Sequence, residues 1–211
     1  EAIKDLMECK QFGTDYIIAP MVETEYALKK FIEAKDKVFD EEEKKYTDFL
    51  INIETKTSKV NLKKMVNVNN EYDKTHKIDG WVFGRVDYTM SCGLNRDDIN
   101  DSELVTNAVI DVAKEAKNNN LSLVVGGAVS VDALEILKRV KNERLDRFET
   151  RKIIFSADAL EIKELSKGML EAIHFELLWL KNKKNYYGSI FKEDDKRIEM
   201  LNSRWNLIEN D

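Results

Sequence analysis

Proline occurs once in the 211 residues, cysteine and histidine twice each, and glycine only eight times. Cys9 and Cys92 stand far apart, so the chain has neither a disulfide framework nor the paired thiols of a zinc site, and a reducing, cytoplasmic setting is expected. With His76 in a polar stretch and His174 in an apolar helical one, a histidine-rich metal centre is excluded, and any metal is expected to be held by oxygen. No apolar run approaches the roughly 18 residues of a spanning helix, because the best stretches, Tyr16 to Val22 and Leu121 to Val131, are strand-sized. The first ten residues are charged and amphipathic, unlike a signal peptide. Also missing are GxxxxGK[ST], GxGxxG, HExxH and GxSxG, which removes phosphate cradles, dinucleotide folds, zincins and serine hydrolases.

What is present is charge of both signs around a sizeable core. Hydrophobic residues make up 43% and charged ones 35%, enough apolar content for one globular domain, or for one domain with an appendage. The net charge of -6 argues against a sequence-independent grip on nucleic acid. Lys181, Lys183 and Lys184 beside Tyr186 and Tyr187 are soon followed by Glu193, Asp194 and Asp195, which reads as a solvated helix end. Neither nucleic acid nor membrane is therefore expected as a partner.

Strand-like segments recur at Tyr16 to Ala19, Phe49 to Ile53, Trp81 to Val86, Leu121 to Val125 and Phe148 to Phe155, the first three starting about 33 residues apart, the length of a βα unit. Helical patterns fill the gaps, with Thr24, Ser102 and Ser130 as candidate caps and Asn118 to Asn120 as a turn. Beyond residue 158 only helical patterning remains: Leu170, Ile173, Leu177 and Leu180 form one stripe, and Ile198, Leu201, Trp205 and Ile208 another, which predicts two helices. Alternating βα units imply either an open doubly wound sheet or a closed (β/α)8 barrel. A barrel normally takes about 250 residues and eight strands. Five strands are countable and the chain begins without Met, inside a helical pattern, so the first two or three βα units are expected to be absent from this chain.

The chemistry concentrates in Ile51-Asn52-Ile53-Glu54-Thr55 and, one βα unit later, Asp79-Gly80-Trp81-Val82-Phe83-Gly84-Arg85-Val86-Asp87. Glu54 ends one expected strand and Asp87 closely follows the next, which puts both carboxylates at the carboxyl edge of adjacent parallel strands, about 4.8 Å apart. Two such carboxylates repel unless a cation lies between them, and Mg2+ accepts one or two carboxylates while keeping positions for water and substrate. Spacing alone serves equally well a pair of acids that stabilise helix N-termini.

The wording around these acids resembles the aldolase/citrate lyase family, the metal-dependent (β/α)8 enzymes of the pyruvate and phosphoenolpyruvate superfamily. The similarity runs through Ala19-Pro20-Met21-Val22-Glu23-Thr24, Ile53-Glu54-Thr55 and the segment from Ile78 to Leu94, and covers roughly residues 3 to 155. The resemblance implies an α/β fold, a (β/α)8 TIM barrel lacking its first two or three βα units in this chain, plus a C-terminal helical extension. Residues 1–158 would form the barrel portion with the active site, and residues 159–211 a helical segment packing on the barrel or on a neighbouring subunit. It implies Mg2+ (or Mn2+) held by Glu54 and Asp87, the carboxylate of pyruvate or an oxo acid held by backbone amides of Gly84, Arg85 and Val86, and a homo-oligomer. Arg85 stands where many members have proline, and Tyr88-Thr89 where they have Leu-Ser. A guanidinium there offers a bidentate fork for a second carboxylate or a phosphate, or a partner for Asp97 or Asp98. The family's substrate-binding arginine and catalytic histidine come from earlier strands, so the catalytic base is expected upstream of Glu1.

Three further positions are candidates for lining the pocket: Glu23 at the first strand end, which could equally start its helix, and Glu149 and Arg151, which would share one face of the last strand and serve there as pocket residues or in a structural salt bridge. Gly126 and Gly127 end the preceding strand, where a small residue lets backbone approach a ligand or permits the turn. The expected activity is that of a metal-dependent carbon-carbon lyase of aldolase type, acting on a 2-oxo acid through a Mg-stabilised enolate. The alternatives are a citrate lyase-like enzyme acting on a hydroxyacyl-CoA, and a non-catalytic barrel that uses Phe175, Trp179 and Trp205 of its tail as partner anchors.

Overall fold

The computed structural model describes the backbone of residues 2–209 and the side chains of residues 2–202. The chain forms two compact units, residues 1–169 and residues 170–211.

In the first unit, six strands form one sheet in sequential order: β1 (Tyr16–Ala19), β2 (Asp48–Ile53), β3 (Gly80–Gly84), β4 (Ser122–Gly126), β5 (Arg147–Glu149) and β6 (Ile154–Ser156). The first five run parallel and β6 is antiparallel to β5. Each parallel crossover carries a helix: α2 (Glu25–Val38), α3 (Lys56–Glu71), α4 (Arg85–Ser91) and α5 (Glu103–Asn118), then α6 (Leu134–Lys141), while α1 (Ala2–Phe12) precedes β1. This is an α/β fold with a curled half-barrel sheet. The curl is measured by a contact between strands at its two sides: the Arg147 guanidinium of β5 lies 4.1 Å from the Tyr16 ring centroid of β1 and donates to the Tyr16 hydroxyl at 2.9 Å.

Period-two alternation divides the strands between two faces. The convex face carries Phe49, Ile51 and Ile53 of β2, Trp81 and Phe83 of β3, and Leu123 and Val125 of β4, all buried in one cluster with helical residues such as Leu28, Met65, Val109 and Leu137. The concave face carries a smaller apolar layer of Leu50, Val82 and Val124, with Ile18 packed against it. Apolar residues on both faces identify parallel strands, as their sequence suggested.

Caps set the strand-to-helix turns. Thr24 accepts from the Ala27 amide, Thr55 from Ser58 in a reciprocal capping box, and Ser102 from Val105. Two strand boundaries differ from expectation by more than one residue. The Trp81 to Val86 segment ends at Gly84, because Arg85 already opens α4. The Phe148 to Phe155 segment is a hairpin rather than one strand: Thr150 and Ile153 close the turn with an amide-to-carbonyl bond of 2.9 Å, and Phe148 stacks on Phe155 across it.

The tail also differs. In place of two helices, α7 runs unbroken over Leu165–Glu209, since no proline or loop signal separates the two apolar stripes. Leu170, Ile173, Leu177 and Leu180 of the first stripe and Ile198 and Leu201 of the second are exposed. Trp205 and Ile208 lie outside the residues whose side chains are described. Among the described residues, no helix is long and apolar enough to cross a membrane.

Candidate active site at the carboxyl edge of the half-barrel

The carboxyl ends of β2 to β5 converge on one rim. Ile53 pairs with Phe83 across β2 and β3, so Glu54 stands opposite Gly84. Asn52 and Glu54 continue the concave row begun by Leu50, and Thr55 is committed to capping α3, which fixes where the strand stops. Glu54 is buried, and its carboxylate is held from two sides: Oε1 accepts the Met21 amide at 2.9 Å and Oε2 accepts the Asn52 side-chain amide at 3.0 Å. The first of these bonds comes from the loop after β1, where Met21 adopts φ 55° to present its amide.

Asp87 is exposed in the first turn of α4, directly after β3. It thus follows the carboxyl end of β3, the strand paired with β2, whose carboxyl end Glu54 follows. Among the described residues, no three or more His, Cys, Asp or Glu side chains gather in a metal-holding group. Two carboxylates at the rim still match the donor set of Mg2+, which keeps several waters and takes only one or two protein carboxylates.

Glycines make room at this rim. A Cβ on Gly84 would lie 2.9 Å from the Cβ and 3.4 Å from Oε2 of Glu54, so any other residue would displace the carboxylate. A Cβ on Gly127, whose φ is +87°, would lie 2.7 Å from the Val86 amide nitrogen and 2.9 Å from that of Arg85. These amides open α4 and have no carbonyl one turn back to bond. Gly126 plays the same part for β5, because its Cβ would stand 2.7 Å from Glu149 Oε1.

Glu149 is half-buried on the concave row, and burial pushes its carboxyl above the usual range despite the opposing pull of Arg147. Sequence spacing placed Glu149 at the mouth, but its close fit against Gly126 is set by the pairing of β4 with β5. Arg147, which the sequence reading did not single out, lies on the same row and reaches Tyr16, with its Nη2 buried and unpartnered.

Two sequence candidates are placed differently from expectation, and a third is engaged by its neighbours. The Arg85 side chain is fully buried, and its Nη2 donates to the Ile99 carbonyl at 3.0 Å and to Asn100 Oδ1 at 2.5 Å, while Nε and Nη1 find no partner. Its guanidinium is committed to the loop after α4. Burial lowers its pKa to about 10. Arg151 does not share a strand face with Glu149: β5 ends at Glu149, and Arg151 lies exposed in the hairpin turn. Glu23 accepts the Thr55 hydroxyl, and its carbonyl accepts Asn61 Nδ2 at 3.0 Å, so it ties the β1 loop to the start of α3.

Comparison with known proteins gives a consistent family. A model of the HpcH/HpaI aldolase/citrate lyase family matches residues 1–142. No curated protein sequence matches. Among solved structures, an HpcH/HpaI aldolase/citrate lyase family protein from Burkholderia cenocepacia is 11% identical with a TM-score of 0.56, covering 82% of this chain and 70% of its own. The citrate synthase SbnG is 12% identical with a TM-score of 0.57, covering 86% and 69%. RipC from Yersinia pestis is 16% identical with a TM-score of 0.50, covering 70% of this chain, and this chain spans 62% of its length.

Proposed function

Because the chain belongs to the HpcH/HpaI aldolase/citrate lyase family, we propose that it works as a carbon-carbon lyase of aldolase type on a 2-oxo acid, with Mg2+ or Mn2+ held by Glu54 and Asp87. The observation that carries this reading is the close packing at one rim: Gly84 makes way for the Glu54 carboxylate, and Gly127 brings the loop after β4 up to the Arg85 and Val86 amides without a Cβ over them.

Each residue then has a distinct task. Met21 and Asn52 hold the Glu54 carboxylate in one orientation before any ligand arrives, which lowers the cost of binding. Asp87, being exposed, brings a second carboxylate from the first turn of α4. The Arg85 and Val86 amides donate to the substrate carboxylate and fix its direction. A divalent cation, when bound, supplies Lewis-acid polarisation of the carbonyl next to that carboxylate. Glu149, whose carboxyl burial raises above the usual range, lies on the same concave row, where it is placed to exchange a proton at the rim.

Calorimetric titration of Mg2+ and Mn2+ into the parent, Glu54→Gln and Asp87→Asn proteins tests the ligand assignment. Each substitution is expected to weaken binding by about tenfold or more; parent-like affinity in both would reject it. Pyruvate is expected to raise the melting temperature in the presence of Mg2+, since a ligand selective for the native state stabilises it. Protection by acetyl-CoA and not by pyruvate would favour a citrate lyase-like reaction instead.

A further inference from the structure

The continuity of α7 joins two apolar stripes into a single repeat. Between Leu170 and Leu201, positions spaced alternately by three and four residues read Leu170, Ile173, Leu177, Leu180, Lys184, Tyr187, Phe191, Asp194, Ile198 and Leu201. This is a heptad pattern sustained over more than four repeats, with Leu170, Leu177, Lys184, Phe191 and Ile198 at a and the others at d. These core positions are exposed, and among the described residues the second compact unit is one helix with nothing else to bury them. The two charged members decide the orientation of a partner helix.

We infer that α7 pairs with α7 of a second copy of this chain as an antiparallel two-stranded coiled coil, registered so that Lys184 of each copy faces Asp194 of the other. In antiparallel coiled coils an a residue meets a d residue, and a two-fold centred at Ser189 satisfies this along the whole described seam. Leu177 then meets Leu201, Leu180 meets Ile198, and Tyr187 meets Phe191. The opposite charges of Lys184 and Asp194 fall together twice, once on each side of the axis. At the flanking e positions, Lys181 meets Asp195; at the g positions, Lys183 faces Arg197, the one like-charged pair in this register. A parallel pair would instead set Lys184 against Lys184 and Asp194 against Asp194 inside the seam, two buried like-charge contacts with nothing to offset them.

The inference is independent of the chemistry at the rim, and its test reads association rather than activity. Sedimentation of the full chain over a range of concentrations is expected to show a dimer in the parent. Lys184→Asp and Asp194→Lys are each expected to weaken it by about tenfold or more, and the double variant K184D/D194K to return to near-parent affinity. Both positions are exposed in the single chain, so the variants keep their helicity, which circular dichroism verifies. In a background with Cys9→Ser and Cys92→Ser, a mixture of L180C and I198C chains is expected to form a mixed disulfide, and L180C alone none. A monomeric parent, an unaffected single variant, no recovery in the double variant, or cross-linking by L180C alone would each overturn the inference.

Discussion

Replacing Gly127 by alanine probes the rim without altering any charge. Two costs add there. With φ at +87°, a Cβ meets the carbonyl conflict of left-handed backbone, about 1–2 kcal/mol, partly offset by the reduced freedom of the unfolded chain, about 0.4–1 kcal/mol. The same Cβ would also stand 2.7 Å from Val86 N and 2.9 Å from Arg85 N, backbone atoms held by the β3–α4 junction, and such overpacking costs about 1–3 kcal/mol. Gly93 is the control, because its φ is +78° yet no atom lies within 4 Å of the Cβ position. Gly93→Ala should therefore lose about 1 kcal/mol or less, and Gly127→Ala about 2–4 kcal/mol, a large share of the 5–15 kcal/mol typical of a domain. Calorimetry should register the latter as a fall of roughly 5–12 °C in melting temperature, with an unchanged urea m-value in the parallel denaturation experiment. Equal losses at the two glycines would refute the close approach of the β4 loop to the Arg85 and Val86 amides.

Substitutions at two further positions test burial at the same edge. Glu149 has its carboxyl raised by burial, so the folded state binds a proton more tightly than the unfolded chain; the group favours folding at low pH and this contribution fades as pH rises through its folded pKa. Glu149→Gln should accordingly be more stable than the parent at pH 7 and lose that advantage near pH 4, in urea midpoints measured at both; a gap independent of pH would contradict the assignment. For Arg85, Met retains much of the buried volume and removes a guanidinium with two unpartnered nitrogens, so Arg85→Met should stay within about 1 kcal/mol of the parent. Arg85→Ala opens a cavity and should lose about 2–4 kcal/mol, and the reverse order in denaturant unfolding would refute this account of the side chain.

The alternation of the first four strands with helices was readable because both signals are local. Ile51 and Ile53 against Leu50 and Asn52 need only the two-residue period, and Thr24, Thr55 and Ser102 cap the helices that immediately follow them. Glu54 and Asp87 were readable for the same reason, since each sits at a fixed offset from a strand end. The hairpin between Phe148 and Phe155 was not, because its apolar ends and short polar turn give the same composition as one longer strand. The length of α7 was also hidden, as Lys184 and Asp194 interrupt its apolar seam and resemble a boundary between helices.

Sequence by itself determined which residues lie on which face of the first four strands and that the two rim acids follow strand ends, because backbone geometry converts position in the chain directly into direction. Only the tertiary structure decided what those directions meet. The Arg85 guanidinium turns to Ile99 and Asn100, Glu23 is taken by Thr55, Arg147 crosses the concave face to Tyr16, and Gly84 and Gly127 owe their roles to atoms from other strands and loops. Each of these outcomes depends on how neighbouring strands are registered and how far the sheet curls, and both follow from the packing of the whole core rather than from any local run of residues.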